Sequence, residues 1–600
     1  MNKADIPLRS QIAQNDKWNL SGLFANDAEW EKAFSEYALR AEKLPGFKGS
    51  LGKSAGSLAE YLNFYRDFSI LEERLAYYAD LRQCEDEGAN EARVMTGKMT
   101  IASAKAAAGI SWAIPEIQAI DNDKITGFLK EECLSEYLIY LKIILRWKPH
   151  ILTDKEERLI ALQNEASGIA GDAFSVLTNV DFDFGTIDTE EGPRPLSQST
   201  WSVFMESENR DLRKRAYDAF YSCYDSHKTT LAALYGGSVK QDVIRARIRG
   251  FASAREAALF PDNVPLSVYD NLISTISKNL APLHRYYALK KRTLKLERMC
   301  HYDVYAPVSA DVKKKTSWNE AVELICCALA PLGNEYVNTL RGGLSGGWAD
   351  KYENKGKRSG AFSAGSYTAP PYILMNYKED SIRDVFTLAH EGGHSMHSFY
   401  SAKSNPFSHY NYSIFEAEVA STFNEELLYR YLKEKSGSPE LMLYIVNKRA
   451  DDILATLYRQ TMFAEFEKLT HEQEERGEPL TIETLRSVYR GLLKKYFGDG
   501  VELEACSDLE ALRIPHFYRA FYVYKYSTGI SASLALAGRV LGGGKDERED
   551  YFSFLSSGGS RFPIDSLKAA GVDMSEPEPV GAACAVFSGL VDELERLLEK

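Results

Sequence analysis

The stretch His390-Glu391-Gly392-Gly393-His394 limits the fold of this 600-residue chain more than any other. Two histidines four positions apart lie one turn apart on one face when the chain there is helical, and they can then close on a single ion. The flanks agree with a helix, since Ile382, Val385, Phe386, Ala389, Met396 and Phe399 recur at helical spacing. Gly392 and Gly393 work against it, because each costs a helix interior up to about 1 kcal/mol relative to alanine. A glycine pair held at that cost points to another backbone, a strand or a substrate pressed against the helix. Histidine is also scarce: there are 10, and His390, His394, His397 and His409 fall within twenty positions.

The spacing H-E-x-x-H predicts one zinc ion per chain on His390 and His394, with Glu391 beside the first ligand and able to reach a metal-activated water. The extended pattern H-E-x-x-H-x-x-G-x-x-H is excluded, since positions 397 and 400 are His397 and Tyr400. His397 shares the histidine face and stays a possible ligand; otherwise it supports the ligands or lies on the surface. A glutamate from the next predicted helix, 414–432, is the better third ligand. Glu418 lines up with Ser421, Thr422 and Glu425 on a polar stripe, whereas Glu416 heads an apolar one through Val419, Ala420 and Phe423. A ligand needs hydrogen-bonded support, so Glu418 is favoured.

Elsewhere the apolar spacing is helical, as in 58–83 and 446–470, and the expected fold class is mainly α. No fixed-period repeat is present. Val180, Phe182 and Phe184 alternate with Asp181 and Asp183 and predict a strand, followed by a turn or linker over 191–200. A boundary near residue 200 would divide the chain into 1–200 and 201–600. The glycine-rich segment 342–371 reads as irregular and lacks phosphate-loop spacing. After it, PYILMNY (371–377) predicts a short strand, either buried in the core or at an edge able to pair with an extended peptide. In the second case Tyr372 and Ile373 bind substrate.

The net charge of −13 disfavours nucleic acid as a partner. The eight scattered cysteines, without a C-x-x-C pair, read as reduced thiols of a cytoplasmic protein. The first residues carry no apolar secretion signal, and no apolar run is long and clean enough for a membrane span.

Near the C-terminus His516, Tyr518, Tyr522, Tyr524 and Tyr526 crowd into eleven residues. Such aromatics are either core or, beside a metal, hydrogen-bond donors to the oxyanion of a tetrahedral intermediate. With this segment, IPHFYRAFYVYKYSTG, the chain resembles the oligoendopeptidase F family, relatives of thimet oligopeptidase; KWNLSGLF, FASAREAALFPDNVP, PYILMNY, FTLAHEGGHSMHSFYS and YSIFEAEVASTFNE carry the same resemblance. It implies a two-lobed, helical, zincin-like metallopeptidase with a deep channel for short peptides and a small β element near the active site. It also implies zinc on His390, His394 and Glu418, and Glu391 as general base. The family's transition-state histidine and tyrosine fall in the 516–526 segment, where His516 and Tyr524 are expected, with Tyr522 next. The glycine-rich loop that precedes the tyrosine helix of thimet oligopeptidase is missing here. A metallocarboxypeptidase or a non-catalytic peptide-binding protein are the alternatives; no arginine is identifiable to grip a C-terminal carboxylate, and the intact Glu391 argues against mere binding.

Overall fold

The computed structural model describes residues 6–309, 312, 314–435 and 437–599. The chain is mainly helical, with three small sheets among the described residues. It divides into two compact units, each assembled from three stretches: residues 1–148, 313–434 and 536–572 form one, and residues 149–312, 435–535 and 573–600 the other. Residue 200, the expected boundary, lies inside the first stretch of the second unit.

In the first unit, helices Asp27–Ala41, Ala55–Glu85 and Asn90–Ile110 build an apolar core around Trp30, Tyr37, Leu58, Leu62, Phe68 and Leu75. The indole of Trp30 donates to the Leu75 carbonyl at 2.9 Å, which satisfies its one polar atom inside that core. Tyr372 and Leu374 join the same core from a three-stranded sheet. There Tyr372–Leu374 is the central strand, parallel to Ala349–Asp350 on one side and antiparallel to Phe362–Ala364 on the other.

This corrects the edge-strand reading of 371–377. Tyr372 is 1% and Ile373 0% exposed, and both edges of their strand are paired, so neither residue has backbone to offer a peptide. The outer strand on the antiparallel side is Phe362–Ala364, half-buried and within the glycine-rich segment read as irregular. The N–H of Ile373 donates to the Trp348 carbonyl at 2.8 Å, on the far side from Ser363. Ser363 and Ile373 are therefore a non-hydrogen-bonded pair, and the backbone groups of Ser363 point away from the sheet.

The helix Ile382–Ser404 carries the HEGGH stretch. Asp384 in its first turn accepts from the Lys378 N–H and the Ser381 hydroxyl, both at 2.8 Å, where a negative charge suits the helix dipole. The helix stops at Asn405, and Pro406 follows. At the start of the next helix, Ile414–Lys435, Ser413 sends both its N–H and its hydroxyl to the Glu416 carboxylate, the glutamate half of a capping box. Glu416 is thereby occupied as a cap.

In the second unit the 39-residue helix Arg210–Ile248 buries a run of tyrosines against its neighbours. The alternation at 180–184 does not mark a strand. Val180 belongs to the helical turn Leu177–Asp181, and Phe182 and Phe184 then pack on Tyr224 and Phe220 of the long helix, with ring centroids 5.1 Å and 4.7 Å apart. Two-residue spacing arises there from extended chain lying on a helix. Strand pairing begins at Thr186, where Thr186–Thr189 folds back on Gly192–Pro195.

Candidate metal centre

His390, His394 and Glu418 converge. The two Nε2 atoms are 3.1 Å apart, and Glu418 Oε2 lies 3.5 Å from the first and 3.8 Å from the second. Among the described residues this is the one cluster of histidine, cysteine and acidic side chains whose ligand atoms close on a common point. Two imidazoles and a carboxylate fit the three-residue donor set of a catalytic zinc site.

The supporting groups fit such an ion. Nδ1 of His390 bonds Glu425 Oε1; a carboxylate only accepts, so the ring proton sits on Nδ1 and the Nε2 lone pair is left for a cation. Burial disfavours charge on His390, but Glu425 outweighs it and holds the ring up at about 9. The ring of His394 hydrogen-bonds the Ala417 backbone, while burial and the neighbouring His390 push it down to about 3. The Ser421 hydroxyl donates to Glu418 Oε2 at 3.2 Å. Glu425 was visible in the sequence only as a member of the Glu418 stripe; its partner across the helix pair was not.

Gly393 explains how Glu418 reaches the histidines. A Cβ at 393 would stand 2.5 Å from the Ala420 carbonyl oxygen and 2.6 Å from the Ser421 Cα, so the two helices touch backbone to backbone two residues past Glu418. Asn424 reinforces the contact, donating to the Ala389 carbonyl at 3.2 Å and accepting from the Tyr336 hydroxyl. Gly393→Ala is expected to cost about 1–3 kcal/mol of stability by overpacking and to weaken metal retention, measured by chelator competition. Gly392→Ala is the control, because its Cβ would meet only the flexible Leu340 side chain, at 3.3 Å.

Glu391 lies outside the converging atoms and is 6% exposed. Its carboxylate takes a backbone hydrogen bond from Ser363 on the outer strand. Burial pushes it up to about 7; His390 opposes this, and the charges of Glu418 and Glu425 add to it. A cation at the cluster would draw it back down. His397 is neither ligand nor surface residue. It is fully buried, with its ring stacked on Tyr412 at 3.6 Å between centroids.

The 516–526 segment lies in the second unit. Tyr524 is 1% exposed and packs on Tyr269 with ring centroids 5.2 Å apart. That corrects the preference for Tyr524 as an oxyanion donor, since a phenol sealed in the core has no access to a substrate carbonyl. Tyr522 and Tyr526, two positions away on either side, face elsewhere and gather with His516 in a partly exposed cluster, with His516 parallel to Tyr522 at 6.2 Å and Tyr526 edge-on to both. Tyr524→Phe is expected to leave kcat within about threefold of the parent, since it removes no group able to meet the oxyanion. A fall in kcat like that of an oxyanion-donor variant would restore Tyr524 as a candidate.

Residues 203–586 match the model of peptidase family M3, and residues 116–184 that of Oligopeptidase F. The chain belongs to the oligoendopeptidase F family of M3 peptidases. It is 44% identical to oligopeptidase PepF of Bacillus subtilis, over 99% of this chain and 89% of that one, and 41% identical to an oligoendopeptidase F homolog of Borreliella burgdorferi, over 98% and 100%. Among solved structures, a putative peptidase from Chlamydophila abortus superimposes with a TM-score of 0.94 at 37% identity, covering 99% of this chain and all of that one. Oligoendopeptidase-F from Enterococcus faecium gives 0.74 at 33% identity, covering 96% and 99%. No helix among the described residues of this M3 peptidase is long and apolar enough to cross a membrane.

Proposed function

We propose that this M3 peptidase is a zinc-dependent endopeptidase that hydrolyses internal bonds of short peptides. The observation that carries the reading is the convergence of His390, His394 and Glu418 beside a buried glutamate, outside the converging atoms, that is bonded to the outer strand of the small sheet. Zinc held by these three residues would supply Lewis-acid polarisation of a carbonyl oxygen and of water.

The remaining work falls to the protein's own groups. The Ser363 carbonyl, which points away from the sheet, accepts from the extended substrate main chain, which gives affinity with little side-chain preference. Glu391 takes the proton of the attacking water as its oxygen bonds the scissile carbonyl carbon. It then gives that proton to the amine nitrogen as the C–N bond breaks. The family resemblance implies His516 and Tyr522 as the hydrogen-bond donors to the oxyanion. The eight free thiols support a reducing, cytoplasmic setting.

The test is hydrolysis of a graded series of internally quenched peptides blocked at both ends. Cleavage that stops with a chelator, returns with zinc and fades as the peptides lengthen is expected. Cleavage only of peptides with a free C-terminus would instead make the enzyme a carboxypeptidase, and no zinc-dependent cleavage would leave a peptide-binding protein.

A further inference from the structure

The chain between Phe517 and Tyr524 contains one residue in a conformation that its side chain should avoid. Phe521 has φ of +57°, a left-handed backbone that a bulky residue adopts only when its surroundings enforce it. Those surroundings are specific. The N–H of Phe521 donates to Glu467 Oε1 at 3.0 Å, and Glu467 is 0% exposed. The ring of Phe521 is closed in by His471, 4.5 Å away, and Tyr269, 5.8 Å away. Glu467 and His471 sit one turn apart on the helix Arg459–Glu475, and Nδ1 of His471 bonds the Glu467 carbonyl at 2.7 Å.

A buried carboxyl group is costly, and this one is pushed well above the usual range by burial. Its second oxygen meets no hydrogen-bond partner among the described residues. Glu467 thus serves the fold poorly as a core residue. What it does satisfy is the single N–H whose position sets the reversal of the chain. Immediately after that reversal Tyr522 lies parallel to His516, and Tyr526 closes the cluster.

We propose that Glu467 is a positioning residue for catalysis: through the Phe521 N–H it locks the left-handed turn that sets Tyr522 against His516. This rests on the reading of His516 and Tyr522 as oxyanion donors. The hydrogen bond needs an acceptor at Oε1 and not a charge, so an amide should replace the carboxyl and a methyl should not.

The experiment uses the full-length, zinc-loaded protein and compares Glu467→Gln, Glu467→Ala, Tyr522→Phe, His516→Ala and the Glu467→Ala/Tyr522→Phe pair for kcat, KM, zinc content and unfolding temperature. Glu467→Gln is expected to keep kcat within about threefold, and Glu467→Ala to lose about ten- to a hundredfold in kcat with KM and zinc content held. Added to Tyr522→Phe, Glu467→Ala should cost little more, because both act through one phenol. Two results would overturn the proposal: a folded Glu467→Ala with parental kcat, or Glu467→Gln as damaging as Glu467→Ala. Full additivity in the pair would overturn it too. Should Glu467→Ala not fold, Glu467→Leu takes its place, since it fills the buried site but offers the Phe521 N–H no acceptor: a tenfold or larger loss of kcat at constant zinc content supports the lock, and parental kcat rejects it. If instead Tyr522→Phe and His516→Ala both keep parental kcat, it is the oxyanion-donor reading that fails.

Discussion

Glu391→Gln is expected to lower kcat by about 100- to 10,000-fold, the usual worth of a general acid–base group, while the protein keeps its metal. The two effects separate because Glu391 is absent from the converging ligand atoms but adjoins the first of them. Glutamine has the same shape and its carbonyl oxygen can still accept from Ser363, so the helix and the strand edge should be undisturbed. What it lacks is a basic oxygen. Burial raises the affinity of Glu391 for a proton, and a bound cation restrains it, which places the group between a bare surface carboxylate and a permanently neutral acid. The check is kcat on a quenched peptide beside metal content by mass spectrometry. Near-parental turnover with metal present would remove Glu391 from the mechanism.

Glu418→Ala should act in the opposite way, by emptying the site. It deletes one of three ligands, and the two histidines left behind do not make a catalytic zinc centre. Activity should fall to background at ordinary zinc concentrations and return in part with excess zinc. The fold should hold, since Glu418 is partly exposed and the backbone contact at Gly393 is untouched. Glu425→Gln makes the comparison: it leaves all three ligands but weakens the hold on the His390 proton, for an expected 10- to 100-fold loss of metal affinity. A Glu418→Ala protein that kept its zinc would mean that another carboxylate completes the set, and Glu416, already committed as a cap, would be the first to test.

Much of this centre was legible in the sequence because it lies on two helices. Helical periodicity fixes which side chains share a face, so the pairing of His390 with His394 and the preference for Glu418 over Glu416 followed from spacing alone. The glycine pair announced a close approach, and Gly393 makes it against Ala420 and Ser421. Strands of two or three residues carry no period to read. The outer strand at Phe362–Ala364 was therefore hidden in a glycine-rich segment, and the apolar run at 372–374, left open between core and edge, is the middle of the sheet.

The aromatic segment shows the same limit at another scale. Composition marked 516–526 as unusual, yet between the outward His516 and Tyr522 and the inward Tyr524 the chain passes through one left-handed residue, Phe521, whose N–H is bonded to the distant Glu467. No local rule places phenylalanine in that conformation.

The sequence by itself pointed to the helical class and to His390, His394 and Glu418 as a group able to hold a metal, because these follow from residues three, four or seven positions apart along a helix. The tertiary structure decided what depends on contacts between distant segments: the outer strand bonded to Glu391, the carboxylate behind His390, and the tyrosine that is core. Neighbours in a helix are set by its pitch, whereas neighbours across helices and strands are set by packing.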